Sequence, residues 1–268
     1  MRLTAGYAAV ALIGLALSAP SGAARDLPVD LELVLAVDVS GSVDEDEARL
    51  QRDGYVRALR HEDVLTAIRS GFLRRIAVTY VEWAGEERQA TIVGWRLVDG
   101  KESARSLSNE IDAAPFTRGR FTSISAAIRY ALPLFEGNGF DGTRRVIDIS
   151  GDSANNTGGL VTEARDLAVA RGVTINGLPI VNQRENRFGR QLENLDLYYR
   201  DCVIGGPGAF LVVANDFPSF ARAVRRKMVQ EIAGISPGRN LIRRVAGDGA
   251  PPCDAGEIRL RERLLNRF

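Results

Sequence analysis

Histidine and cysteine are scarce in this chain: 268 residues contain one histidine, His61, and two cysteines, Cys202 and Cys253. Neither cysteine belongs to a C-x-x-C pair, so zinc centres built on thiolate and imidazole, and thiol redox centres, lack their ligands. An excess of one charge is missing too, with 35 Lys and Arg against 34 Asp and Glu. Residues 1–24 hold only Arg2 among these, and without them the count is 34 to 34. That balance excludes the electrostatic footprint of a nucleic-acid or anionic-membrane binder. Internal repeats and low-complexity tracts are absent. So is an apolar run of the roughly 20 residues a bilayer span requires.

The apolar stretch 7–17 instead follows Arg2 and leads into small residues with Ala23 and Ala24 at cleavage positions. This predicts a secretory signal peptide over residues 1–24, with no membrane insertion after its removal and a periplasmic or secreted location. No cysteine follows at a lipidation position. In an oxidising compartment Cys202 and Cys253 can pair or stay separate thiols.

What is present is an ordinary globular composition, 45% hydrophobic and 26% charged, which suits one domain with tails. The run LELVLAVD, residues 31–38, predicts a buried strand. The acidic start and apolar spacing of residues 44–59 predict a helix. Strands are expected at 75–83 and 90–97, and the short GEERQ link makes that pair antiparallel. Helices at 103–113 and 123–135, a strand at 145–150, a helix at 159–171, strands at 173–181 and 209–214 and a helix at 217–233 complete the series. From Ser236 the chain is rich in Gly, Pro and Arg and is read as a tail over 235–268. The alternation predicts an α/β, Rossmann-like doubly wound fold: a mostly parallel central sheet with one antiparallel edge strand and helices on both faces.

Ligands of such sheets bind beyond the carboxyl ends of the strands. Three loops there carry compact oxygen donors: Asp38, Ser40 and Ser42 in DVSGS; Thr122 beside Ser123 in GRFTSIS; and Asp152 in ISGDSANN. Hard oxygen ligands without sulfur or imidazole suit Mg²⁺ or Mn²⁺ better than zinc or copper. Each residue also has a plain role in turns and caps. Asn155 and Asn156 can line the rim of such a site or form a turn and helix cap. Arg118 and Arg120 can draw an acidic partner or be solvated surface groups.

On these residues the sequence resembles the von Willebrand factor type A (vWA) family over residues 29–234. Asp38, Ser40 and Ser42 match its DxSxS element. Thr122 stands six residues before Ile128, on a helix resembling the one after the family's second metal loop. Asp152 occupies the place of its third-loop Asp. The resemblance implies a metal-ion-dependent adhesion site formed by these five residues, in which an Asp or Glu of a protein partner completes the coordination of Mg²⁺ or Mn²⁺. The family usually writes its third loop TDG, whereas Ser150-Gly151-Asp152 stands here. Asp148 competes with Asp152, but period-two placement puts it within the strand. ISGDSANNTGG and YYRDCVIGGPGAF further resemble a group of secreted bacterial vWA-like proteins whose domain has no assigned function.

The same residues admit other readings. A vWA-like scaffold with a structural or vestigial metal site would bind through another face. A haloacid-dehalogenase-like phosphatase would use Asp38 as nucleophile, but Ser40 replaces the acid expected two residues later. GDS at 151–153 suggests a serine esterase, yet no histidine follows it. GGPG at 205–208 lacks the Lys-Ser/Thr of a phosphate loop and is read as a turn.

Overall fold

The computed structural model describes residues 25–181, 191–234 and 249–266. The expected signal peptide lies outside them, as does the first part of the expected tail. A five-stranded sheet organises the chain, in the order β4-β3-β2-β6-β7. Its strands are β2 (Glu32–Asp38), β3 (Ile76–Trp83), β4 (Gln89–Val98), β6 (Arg145–Gly151) and β7 (Val173–Pro179). All neighbours are parallel except β3 and β4. Two short strands, β1 (Leu27–Val29) and β5 (Phe140–Gly142), pair separately.

β2 sits at the centre and every one of its residues is buried, because a strand with parallel neighbours is covered on both faces. That explains its unbroken apolar run. β4 buries only Val93 and Val98 and leaves its other positions exposed or half-buried, in keeping with its place at the sheet edge. Side chains of alternate residues feed two separate cores. On one face Leu33, Leu35 and Val37 pack with α1 (Glu45–Leu59), α2 (Glu62–Arg69), α3 (Lys101–Ala113) and α7 (Phe217–Ala233). On the other, Val34 and Ala36 pack with α4 (Ile124–Ala131) and α5 (Val161–Ala170). The same face takes α6 (Leu195–Tyr198) and the π-helical turn Tyr199–Val203. The α/β, doubly wound expectation with one antiparallel edge strand therefore holds.

Local chemistry fixes the helix starts. Asp44 and Glu47 form a reciprocal capping box at α1 (Glu47 N to Asp44 Oδ1, 2.8 Å; Asp44 N to Glu47 Oε2, 2.9 Å), satisfying two of the donors a helix start leaves open. The lone histidine is a cap as well: His61 Nδ1 accepts from Asp63 N at the start of α2, a helix the sequence reading had not assigned.

One expected strand needs correction. Residues 209–214 run alongside β7 but meet it only in two parallel bridges, Gly177 with Leu211 and Ile180 with Ala214. Gly177 N donates to Phe210 O and Val212 N to Gly177 O, while Ala214 N donates to Pro179 O. The next donor in that ladder would be the backbone nitrogen of Pro179, which carries no hydrogen, so Val212 O has none there and the strand is interrupted. The segment read as a tail contains a helix, α8 (Ala255–Leu265). A Cys202–Cys253 disulfide joins that segment to the turn after α6. No helix among the described residues is long and apolar enough to cross a membrane.

Candidate metal centre

β2 and β6 are adjacent and parallel, so their carboxyl ends open at the same edge of the sheet. Asp38 closes β2, and its Oδ1 accepts from Ser40 N at 2.7 Å, an Asx turn that folds the DVSGS loop back on itself. Ser40 Oγ then lies 3.0 Å from Ser42 Oγ. From the next loop, Asp152 Oδ1 accepts from Ser42 Oγ at 2.6 Å and from Ser153 Oγ at 2.9 Å. Asp38, Ser40, Ser42 and Asp152 thus form one continuous polar cluster across two loops. Gly151 lets it close: a Cβ there would lie 2.9 Å from both Asp38 Oδ2 and the Tyr199 hydroxyl.

Thr122 is tied to the loop that carries Asp152. Its N–H donates to Asn156 Oδ1 at 2.9 Å, and Asn156 N donates to Thr122 O at 2.8 Å. The preceding residue, Phe121, has φ +61°, a left-handed conformation uncommon for a bulky side chain and typical of constrained functional loops. Ser123 caps α4, accepting from Ala126 N. Asn155 and Asn156 do not cap α5, whose N-cap is Leu160. Asn155 Oδ1 instead accepts from Ser125 N, an open donor in the first turn of α4, so both asparagines cross-link the Thr122 and Asp152 loops.

Asp148, the rival to Asp152, lies deeper on β6 beside Lys227 of α7, 2.5 Å from its Nζ. Arg118 is engaged with the chain: its guanidinium donates to Gly41 O and Val43 O and so clamps the first loop. Arg120 stacks over the ring of Phe121, 5.5 Å from its centroid.

The cluster is dry. Asp38 and Ser40 are fully buried, and Thr122 and Asp152 are 3% and 4% exposed. Burial, then repulsion from Asp152, pushes the Asp38 carboxyl well above the usual carboxylate range, and burial raises Asp152 as well. No cationic side chain among the described residues offsets either group. Asp38 Oδ2 and the Tyr199 hydroxyl are buried with no hydrogen-bond partner among the described residues. Such atoms carry the desolvation cost of an unmet contact. Two carboxylates, several hydroxyls and an orphaned carboxylate oxygen fit a hard divalent cation in chemistry and charge. The described residues hold no cluster of three or more His, Cys, Asp or Glu suited to a metal; the donors here are mostly hydroxyls.

Residues that the sequence reading missed are Ser153, Tyr199 and the clamping role of Arg118. Ser153 adjoins Asp152 in sequence and was readable. Tyr199 and Arg118 reach the loops only through the tertiary fold.

Residues 28–236 match the family described as "Protein of unknown function (DUF1194)". The chain belongs to that family. Comparison with curated protein sequences yields no match. Among solved structures it is similar to proximal thread matrix protein 1 from the mussel byssus, with TM-score 0.57, 15% identity and coverage of 78% of this chain and 50% of that one. Another structure of that protein has a zinc-occupied MIDAS motif (TM-score 0.53, 14% identity, 76% and 46% covered). The pilus adhesin SpaC from Lactobacillus rhamnosus GG gives TM-score 0.55 at 12% identity, over 78% of this chain and 31% of that one. A von Willebrand factor type A protein from Catenulispora acidiphila gives 0.54 at 12%, over 76% and 43%. This chain spans about half the length of the mussel protein, or less of the others. At these identities the likeness establishes the vWA-like fold.

Proposed function

We propose that this DUF1194 protein is an exported, non-enzymatic binding domain that captures an acidic group of a protein partner through a divalent cation. Residues 29–234 form the vWA-like domain, residues 1–24 the signal peptide, and the periplasm or cell exterior the place of action. Asp38, Ser40, Ser42, Thr122 and Asp152 hold the ion, directly or through water. Mg²⁺ or Mn²⁺ suits the oxygen donors, and the zinc reported in the mussel protein's MIDAS motif makes zinc a necessary comparison. When bound, the cation supplies an electrophilic position for a carboxylate. The protein's own part is to hold two buried carboxylates beside their hydroxyl neighbours, with no counter-charge among the described residues.

One observation carries this reading. Asp38 and Asp152 are buried together with no cationic side chain beside them among the described residues, and Asp38 Oδ2 has no partner there. Buried charge of this kind is costly unless an opposite charge meets it.

The test is retention of the mature, chelator-stripped protein on an immobilised Glu-containing peptide, with and without Mg²⁺, Mn²⁺ or Zn²⁺. A parallel assay measures release of p-nitrophenol from its phosphate ester. The expected result is cation-dependent retention, abolished by Asp38→Ala, with no turnover. Chelator-insensitive retention would favour a vestigial site and another binding face. Hydrolysis lost in Asp38→Ala would favour the phosphatase.

A further inference from the structure

The DUF1194 match ends at residue 236, yet the helix beyond it touches the loop that carries Asp152. α8 begins at Ala255, two residues after Cys253, which is tied to Cys202 with Cα atoms 5.4 Å apart. The first turn of α8 lies directly on Asn155: a Cβ at Gly256 would come 1.9 Å from Asn155 O. Only glycine permits that approach. The next residue, Glu257, accepts from Asn155 Nδ2 at 2.6 Å. Tyr198 closes the contact, its hydroxyl accepting from Asn155 N at 3.3 Å and lying 3.3 Å from Cys253 O.

Asn155 is completely buried and is the hub of the two distal site loops. The two hydrogens of its Nδ2 are shared among Glu257, Thr157 O and Gly159 O, while its Oδ1 holds the first turn of α4 through Ser125 N. Asn156, its neighbour, makes the reciprocal pair with Thr122. Any shift of Asn155 therefore moves both Thr122 and Asp152 relative to Asp38.

We infer that α8 is a covalently latched brace of the cation site, in which Gly256 and Glu257 are positioning residues that act through Asn155. The inference rests on the cation reading above for its effect on affinity, while the brace itself is measurable without any ion. Fixing the loops before the ion arrives lowers the ordering cost of binding. The disulfide keeps the brace in place, because a helix of 11 residues is marginal by itself.

The experiment uses the full mature chain and its Glu257→Leu, Glu257→Gln and Cys253→Ser variants. Hydrogen exchange of the Thr122, Ser125 and Asn156 amides is followed without cation, and Mn²⁺ binding is then titrated. Glu257→Leu and Cys253→Ser are expected to speed exchange at those three amides about tenfold, with β2 amides unchanged, and to weaken Mn²⁺ about tenfold. Glu257→Gln keeps an acceptor for Asn155 and should stay within about twofold of the native chain in both. Faster exchange in a protein that binds no Mn²⁺ in any form would uphold the brace and refute the cation reading. Native exchange at the three amides in both Glu257→Leu and Cys253→Ser would overturn the brace, whatever the affinity.

Discussion

Two pairs of buried carboxylates draw one member each from β6 or the residue just beyond it, Asp148 and Asp152, and they are treated in opposite ways. Within the fold, Asp148 of β6 and Glu231 of α7 share one ammonium: Lys227 Nζ is 2.5 Å from an oxygen of each, and all three side chains are almost wholly buried. Asn176 Nδ2 adds a hydrogen bond to Glu231 at 2.9 Å. At the carboxyl ends of β2 and β6, the donors to Asp38 and Asp152 among the described residues are hydroxyls and a backbone amide. Elsewhere, buried Glu82 has Arg52 at 2.5 Å and buried Glu32 has Arg145 at 3.4 Å. Among the described residues, these four interior carboxylates each have a cationic partner, and the pair at the edge where the three loops meet has none. A structural core does not need that omission; a cation-binding edge does.

The largest effect is expected from Lys227→Met, which leaves two carboxylates uncompensated and should cost about 3–5 kcal/mol in urea unfolding at pH 7.5. Burial and the charge of Glu231 already push Asp148 up to about 7. A raised carboxylate stabilises the fold while it holds its proton, and that contribution fades as pH rises through the raised value. Lowering the pH to 5.5 should therefore recover part of the loss.

The opposite sign is expected at the edge. Asp38→Asn removes an unpaired charge and should raise the stability of the cation-free protein at pH 7.5 by roughly 1 kcal/mol, the scale of an unmet buried polar group; a loss there would show that the pair is already balanced. The pH dependence sharpens this further. Both edge carboxyls are raised, so protons compete with the ion, and Mg²⁺ affinity by calorimetry should climb several-fold, about fivefold or more, between pH 5.5 and 7.5. The smallest effect is expected for Arg118→Ala. Losing its contacts to Gly41 O and Val43 O should reduce Mn²⁺ affinity by about threefold and change stability by only about 0.5 kcal/mol, read by the same titration and by thermal unfolding.

Much of this arrangement is legible in the residues. The continuous apolar run of β2, the short link between β3 and β4 and the alternation of periods specify the sheet, because burial on two faces, hairpin closure and helix amphipathicity are local signals. The three oxygen-bearing loops are equally local. The interruption at residues 209–214 was written in Pro179, but reading it requires knowing which side of β7 faces that segment. Arg118, Tyr199 and Lys227 act on chain segments far from them in sequence, and nothing local distinguishes Arg118 from a solvated arginine. α8 falls in the segment whose Gly, Pro and Arg content points to a tail; the disulfide and the contacts of Gly256 and Glu257 with Asn155 assign it a place.

Under the proposed function, an external cation completes the edge pair. Calorimetric titration of Mg²⁺ into the mature, cation-free chain, beside Asp38→Asn, tests it most directly. Saturable binding of one ion per chain, absent in the variant while Lys227→Met that remains folded still binds, is the predicted result. Equal heats for the native chain and Asp38→Asn would contradict it.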